Sequence, residues 1–242
     1  MKKMLIVQNV SGEGPGMLEI LLKRMNVPFD LIDLDKGQNF PSPNRYDAVV
    51  VLGGPDSAND LSSKMKMELG RIKEILNFKI PYLGICLGLQ TLIKAAGGEV
   101  VKNPVKELGF RDPENKLFCV KLTAEGKKDP LLEGLKEKTL IFHLHGETVV
   151  LKNDMVLLAR GKFCENQIVR VQDKAYGIQG HFELTSEMFE DWIQSDPDLI
   201  KLDRESLRRD FKKVEQEYTR LGFQLLGNFL KIAGFTPPDK NE

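Results

Sequence analysis

The sequence predicts an α/β protein: three layers, α/β/α, around a mostly parallel central sheet, with a helical extension at the C-terminus. Three observations carry this. Through the first hundred residues, apolar runs of strand length alternate with segments of helical period, the pattern of parallel strands joined by right-handed crossovers. One run, Tyr46 to Gly54 (YDAVVVLGG), is nearly all apolar, as expected of a strand covered on both faces. From about Ser195 the chain becomes charged, with apolar residues at helical spacing.

Taken in order, KMLIVQN (Lys3 to Asn9) reads as a first buried strand, GMLEILLKRMN as a helix and FDLIDLD as a second strand. YDAVVVLGG is the third. Leu61 to Phe78 keep a helical period, IPYLGI is the fourth strand, and LGLQTLIKAAGG is a helix closed by a glycine C-cap. After Gly98 come short β-like runs, LFCVKL, TLIFHLHG, TVVL, MVLLAR, QIVRVQ and AYGIQGHF, which read as antiparallel additions and hairpins. In the tail, Leu207, Phe211, Val214, Tyr218, Leu221 and Leu225 mark a long amphipathic helix, with Ser195 or Asp196 before Pro197 as its start. The expected division is a domain over 1–194 and an extension over 195–242. A solvated helix covering the core is the preferred reading of the tail, ahead of a homodimer interface or a docking surface for a partner. Repeats and low-complexity segments are not seen.

Composition narrows the function classes. The 242 residues are 41% hydrophobic, enough for one substantial domain with an extension. Lysine and arginine number 35, as do aspartate and glutamate, so no global field points to nucleic acid or an anionic membrane. The N-terminal apolar run is too short for a secretory signal, and no run approaches the ~20 residues of a membrane-spanning helix. Three widely spaced cysteines without a C-x-x-C argue against a disulfide framework or zinc knuckle. The expected compartment is a reducing cytoplasm.

Cys86 lies just past the fourth strand and just before a helix, where open parallel sheets place their sites. Gly-Ile-Cys-Leu-Gly (84–88) has the G-x-nucleophile-x-G form, with cysteine where hydrolases carry serine. Gly84 and Gly88 suit a crowded strand-to-helix turn, and the helix N-terminus favours a thiolate. For Cys86 alone, a role in packing stays open; for Cys119 and Cys164, which lack the glycine frame, packing is the expected role. A thiolate nucleophile needs a base and a group to orient it. His181 ends a strand-like run, and Glu183, two residues on, points to the same face of an extended chain. The backbone N–H of Leu87 and those of the Gly53-Gly54 pair, stiffened by Pro55, are candidate oxyanion donors.

LGGP, GICLGLQ, HGETV and GIQGHFE, in this order, resemble the class I glutamine amidotransferases, most closely the glutaminase domain of GMP synthetase and its free-standing relatives. The likeness covers roughly Lys3 to Ile193. It implies a flavodoxin-like fold, a triad of Cys86, His181 and Glu183, and an oxyanion hole of Gly54 and Leu87. It also implies substrate contacts from Gln90, with Gly53 and His145 placed beside them, His145 in a loop at the rim. His143 is assigned to structure. The implied reaction is hydrolysis of the glutamine γ-amide through a thioester, with no metal or organic cofactor and with ammonia passing to a synthetase partner. There are departures: His181-Phe182-Glu183 lacks the usual proline, Leu87 replaces a tyrosine or phenylalanine, and Gly180 precedes the histidine. The QGH triplet resembles relatives that act as γ-glutamyl peptidases, so small γ-glutamyl compounds are the alternative substrates, and a non-catalytic binding or regulatory module is the third reading. Two further patterns point to other chemistry. GGPDS (53–57) resembles an ATP-pyrophosphatase loop but has Leu52 for the serine and Pro55 in the loop. His143, His145 and His181 could ligate a metal, which would leave Cys86 and Glu183 unexplained.

Overall fold

A computed structural model describes residues 2–236. β1 (Met4–Gln8) lies second from one edge of a nine-stranded sheet, and every residue of it is buried. It pairs in parallel with β2 (Phe29–Asp33) on one side and β3 (Ala48–Val51) on the other. β3 pairs in parallel with β4 (Tyr82–Ile85), and β4 with β11 (Ala175–Ile178). From there the sheet continues antiparallel through β10 (Ile168–Val171), β9 (Met155–Arg160), β6 (Cys119–Leu122) and β7 (Lys138–Leu140). The strand order is β2-β1-β3-β4-β11-β10-β9-β6-β7, and β5 (Glu99–Gly109) with β8 (His143–Val150) forms a separate antiparallel ribbon.

Alternation along the buried strands splits the core into two layers. Leu5, Val7, Val49, Val51 and Tyr82 pack with α2 (Ser63–Asn77) and α3 (Leu87–Ala95). Met4, Ile6, Val50, Leu83 and Ile85 pack on the other face with α1 (Met17–Arg24), α4 (Ser186–Ser195) and α5 (Arg204–Ile232). The α/β/α architecture is therefore present, with five adjacent parallel strands forming one side of the sheet. Among the described residues no helix is long and apolar enough to cross a membrane.

The start of the long helix and the strand β5 differ from expectation, and α4 is an addition to it. The long helix starts at Arg204, where Asp203 accepts the Glu205 N–H at 3.1 Å as the N-cap. Asp196 instead ends α4, and its Oδ1 accepts the N–H groups of Asp198 and Leu199, both at 2.9 Å, turning the chain at Pro197. The residue before a proline disfavours helical backbone, so this proline ends a helix. The second difference is β5, which sequence reading left unassigned. It carries Pro104 and a register shift between Lys102 and Glu107.

Register places the site. Tyr82 lies beside Ala175 and Ile85 beside Ile178, so β4 and β11 end level at one sheet edge. The residues just beyond them, Cys86 and His181, are delivered to the same place.

Candidate active site

Cys86 occupies the sharp turn between β4 and α3. Its φ is 52° and its ψ −105°, a conformation that L-residues avoid. Its N–H donates to the Ile178 carbonyl at 2.7 Å, and its own carbonyl accepts from Leu89 and Gln90, locking the turn. The flanking glycines are demanded by close approach. A Cβ on Gly84 would lie 2.1 Å from the Gly88 carbonyl oxygen, and one on Gly88 would lie 2.2 Å from that of Val51. Gly84→Ala is accordingly expected to destabilise the fold by about 2–3 kcal/mol, read as a lowered denaturant midpoint at unchanged m-value.

The Cys86 sulfur lies 3.7 Å from the Leu144 carbonyl, and Gln179 Nε2 approaches it at 3.9 Å. The other two thiols are unsuited to attack: burial pushes Cys164 up to about 12 and raises Cys119.

His181 is held from several sides. Its N–H donates to the Phe142 carbonyl at 2.8 Å, and the Tyr218 hydroxyl of α5 donates to its carbonyl at 2.9 Å. The Trp192 indole meets its ring edge-on, with centroids 5.0 Å apart. Nδ1 lies 2.6 Å from Glu183 Oε1, and Glu183 Oε2 accepts the Phe182 N–H at 2.9 Å. Burial opposes the charge on the ring, but the Glu183 carboxylate and the Cys86 sulfur outweigh it and hold its pKa well above the ordinary histidine range. Nε2 is buried and closes no hydrogen bond of standard geometry, although the Cys86 sulfur acts on it electrostatically.

Gly53 and Gly54 follow β3. A Cβ on Gly53 would lie 2.6 Å from Glu13 Oε2, 3.2 Å from His181 Cε1 and 3.5 Å from Cys86 Cβ. One on Gly54 would meet Asn9 Cβ at 2.8 Å and Leu87 Cδ2 at 3.5 Å. Leu87 is the first residue of α3, so its N–H has no partner within the helix. Gln90 is buried on the next turn, with Nε2 3.3 Å from the Glu147 carbonyl. A cleft of about 320 Å³ opens over Cys86, His181, Gly54, Gln90 and His145.

His145 is not in a loop. It lies within β8, buried, with Nδ1 3.0 Å from the Glu147 carbonyl and Nε2 2.8 Å from Glu107 Oε2. Both ring nitrogens face acceptors, which fixes the ring in place. Gln167 donates to the same Glu107 oxygen at 3.0 Å. His143 stacks edge-on against His145, and burial, with His145 and His181 nearby, holds its pKa well below the usual range, so it is neutral. Glu107, His143 and His145 bring ligand atoms within 4.8 Å of one another, a different trio from the three histidines. Within the trio only His145 Nε2 and Glu107 Oε2 are hydrogen-bonded; His145 Nδ1 is taken by the Glu147 carbonyl, and His143 Nδ1 is buried with no hydrogen-bond partner among the described residues.

Sequence reading missed Glu13, Gln179 and Glu107. Glu13 sits in the loop after β1, and burial pushes its carboxyl up to about 7; His181 opposes that rise, while Glu183 and Asp196 add to it.

The family model for glutamine amidotransferase class-I matches residues 18–196. The chain belongs to the class I glutamine amidotransferase family. It is 30% identical over 159 residues to the glutamine amidotransferase-like protein YfeJ of Salmonella typhimurium, covering 64% of each chain. It is 28% identical over 185 residues to a glutamine-hydrolysing GMP synthase of Treponema denticola, covering 76% of this chain and 32% of that one. The chain thus spans under two thirds of the first and about a third of the second. A glutamine amidotransferase from Thermotoga maritima superposes with a TM-score of 0.84 at 28% identity, over 96% of this chain and 98% of that one. A second, from Methylobacillus flagellatus, superposes at 0.85 with 24% identity and shares the fold.

Proposed function

We propose that this chain hydrolyses γ-glutamyl amides, with glutamine as the reference substrate. The observation that carries the reading is the convergence of Cys86, in its strained turn, with a His181 ring oriented by Glu183 at 2.6 Å. Cys86 attacks the γ-carbonyl carbon as the thiolate. The N–H groups of Gly54 and Leu87 hold the oxyanion that forms. His181 Nε2 gives its proton to the amide nitrogen, the C–N bond breaks and ammonia leaves a γ-glutamyl thioester on Cys86. Water then attacks the thioester, His181 takes its proton, the C–S bond breaks and glutamate leaves. Gln90 and the His145 region shape the substrate pocket. Glu183 orients the ring and stabilises its charge, without itself transferring protons.

Likeness to GMP synthases supports a synthetase partner that takes the ammonia. A second reading is release of γ-glutamyl groups from small compounds for its own sake; an unpartnered carboxyl group in the cleft, Glu13, favours it. Trapping the Cys86 thioester from glutamine and from γ-glutamyl compounds by intact-protein mass spectrometry tests the reading. Adduct mass on Cys86 is the expected result, and its absence with every compound would refute it.

A further inference from the structure

The cleft wall around Cys86 is acidic, and most of its carboxylates are already engaged. Asp56 pairs with Lys64 at 2.6 Å, and Glu147 accepts from the Ser57 hydroxyl at 3.1 Å. Asp198 pairs with Lys106, the one lysine or arginine among the described residues that lines the cleft. Among the described residues, no hydrogen bond or ion pair reaches the carboxyl group of Glu13.

Its position is specific. Glu13 Oε2, His181 Cε1 and Cys86 Cβ crowd the same face of Gly53, a face left open only because that residue has no side chain. His181 Cε1 adjoins Nε2, the nitrogen that faces the leaving group in the proposed reaction. Glu13 therefore flanks the departing amine. Asp196, from the connection after α4, is close enough to act on Glu13 electrostatically and extends the acidic wall to the rim. A leaving group with a carboxylate would meet Glu13 and Asp196 while Lys106 is occupied by Asp198. One with an ammonium would find an unpartnered acceptor.

We infer that Glu13, backed by Asp196, forms a leaving-group subsite that selects γ-glutamyl amines carrying a second, positively charged nitrogen, such as alkyl diamines, over γ-glutamyl amino acids. The inference rests on the amidase reading above. The reaction is hydrolysis: the amide C–N bond breaks, His181 protonates the departing nitrogen, water completes the carboxylate, and glutamate and the diamine are released.

Steady-state kinetics on γ-glutamyl-1,4-diaminobutane, γ-glutamylglycine and glutamine, with thioester trapping alongside, test it. The expected result is a kcat/KM at least about 10-fold higher for the diamine adduct than for γ-glutamylglycine. Glu13→Gln should collapse that ratio by about 10-fold, mainly through KM, and Glu13→Asp should retain part of it. Equal ratios in wild type and Glu13→Gln, or a preference for γ-glutamylglycine, would overturn the subsite while leaving the amidase reading intact. No thioester from any of the three compounds would overturn the amidase reading, and the subsite with it.

Discussion

Cys86→Ala is expected to abolish hydrolysis of every γ-glutamyl compound and leave the fold intact, whereas Cys86→Gly should abolish it and raise the thermal midpoint. The first half follows from the proposed mechanism: the thioester has no other sulfur to form on. Cys119 and Cys164 both have thiol pKa values raised by burial. The second half follows from the backbone. At φ 52° and ψ −105°, Cys86 sits where a Cβ is strained, and such positions store about 1–3 kcal/mol. Alanine keeps the Cβ and the strain. Glycine removes both, against a cost of about 0.5–1 kcal/mol because the unfolded chain gains conformational freedom. The glycine variant should exceed the alanine variant by about 1 kcal/mol, or about 2–4 °C for a chain of this size. Turnover surviving in Cys86→Ala would sink the mechanism. A glycine variant less stable than the alanine one would sink the claim of strain.

What the sequence made legible was local. The first four strands are short apolar runs between periodic helices, and β1 and β3 are buried along their whole length. The glycines around Cys86 declare a tight turn because the chain passes within van der Waals distance of itself there. His181 and Glu183 sit two residues apart, so their pairing needs no knowledge of the rest of the fold. β5 was hidden because Pro104, Asn103 and its lysines dilute the alternation, and a register shift interrupts it. With β5 went Glu107, and with Glu107 the reason His145 is buried in a strand. α4 is short, and the sequence marks its start only by Thr185, whose hydroxyl accepts the Met188 N–H at 3.2 Å. Glu13 comes to Gly53 and Gln179 to Cys86 only through tertiary approach, one from the loop after β1 and one from just past β11.

Glu183→Gln should destabilise the fold by about 3 kcal/mol at neutral pH, and the loss should shrink as pH rises. Both partners are buried, so removing the carboxylate leaves His181 with burial as its dominant influence. In the wild type, the folded pKa of His181 lies above its unfolded value of about 6.5. That difference stabilises the protein fully below about pH 6.5, and the stabilisation is lost as pH climbs through the folded pKa. In the Gln variant, burial moves the folded pKa downward, so protonation opposes folding and stability falls as the solution is made acidic. Urea midpoints from pH 5 to 9 should therefore diverge on the acid side and converge on the alkaline side. A difference independent of pH would show that the pair is not ionised. Kinetics separate the two roles further. His181→Ala should lower kcat/KM by about 10³-fold or more, because the ring handles both proton transfers. Glu183→Gln should lower it less, because the glutamine keeps the contact to the ring while losing the charge. If both substitutions lowered kcat/KM equally, stabilisation of the imidazolium by Glu183 would be as necessary as the proton transfer itself, and the carboxylate would have to be counted as a full partner in the chemistry.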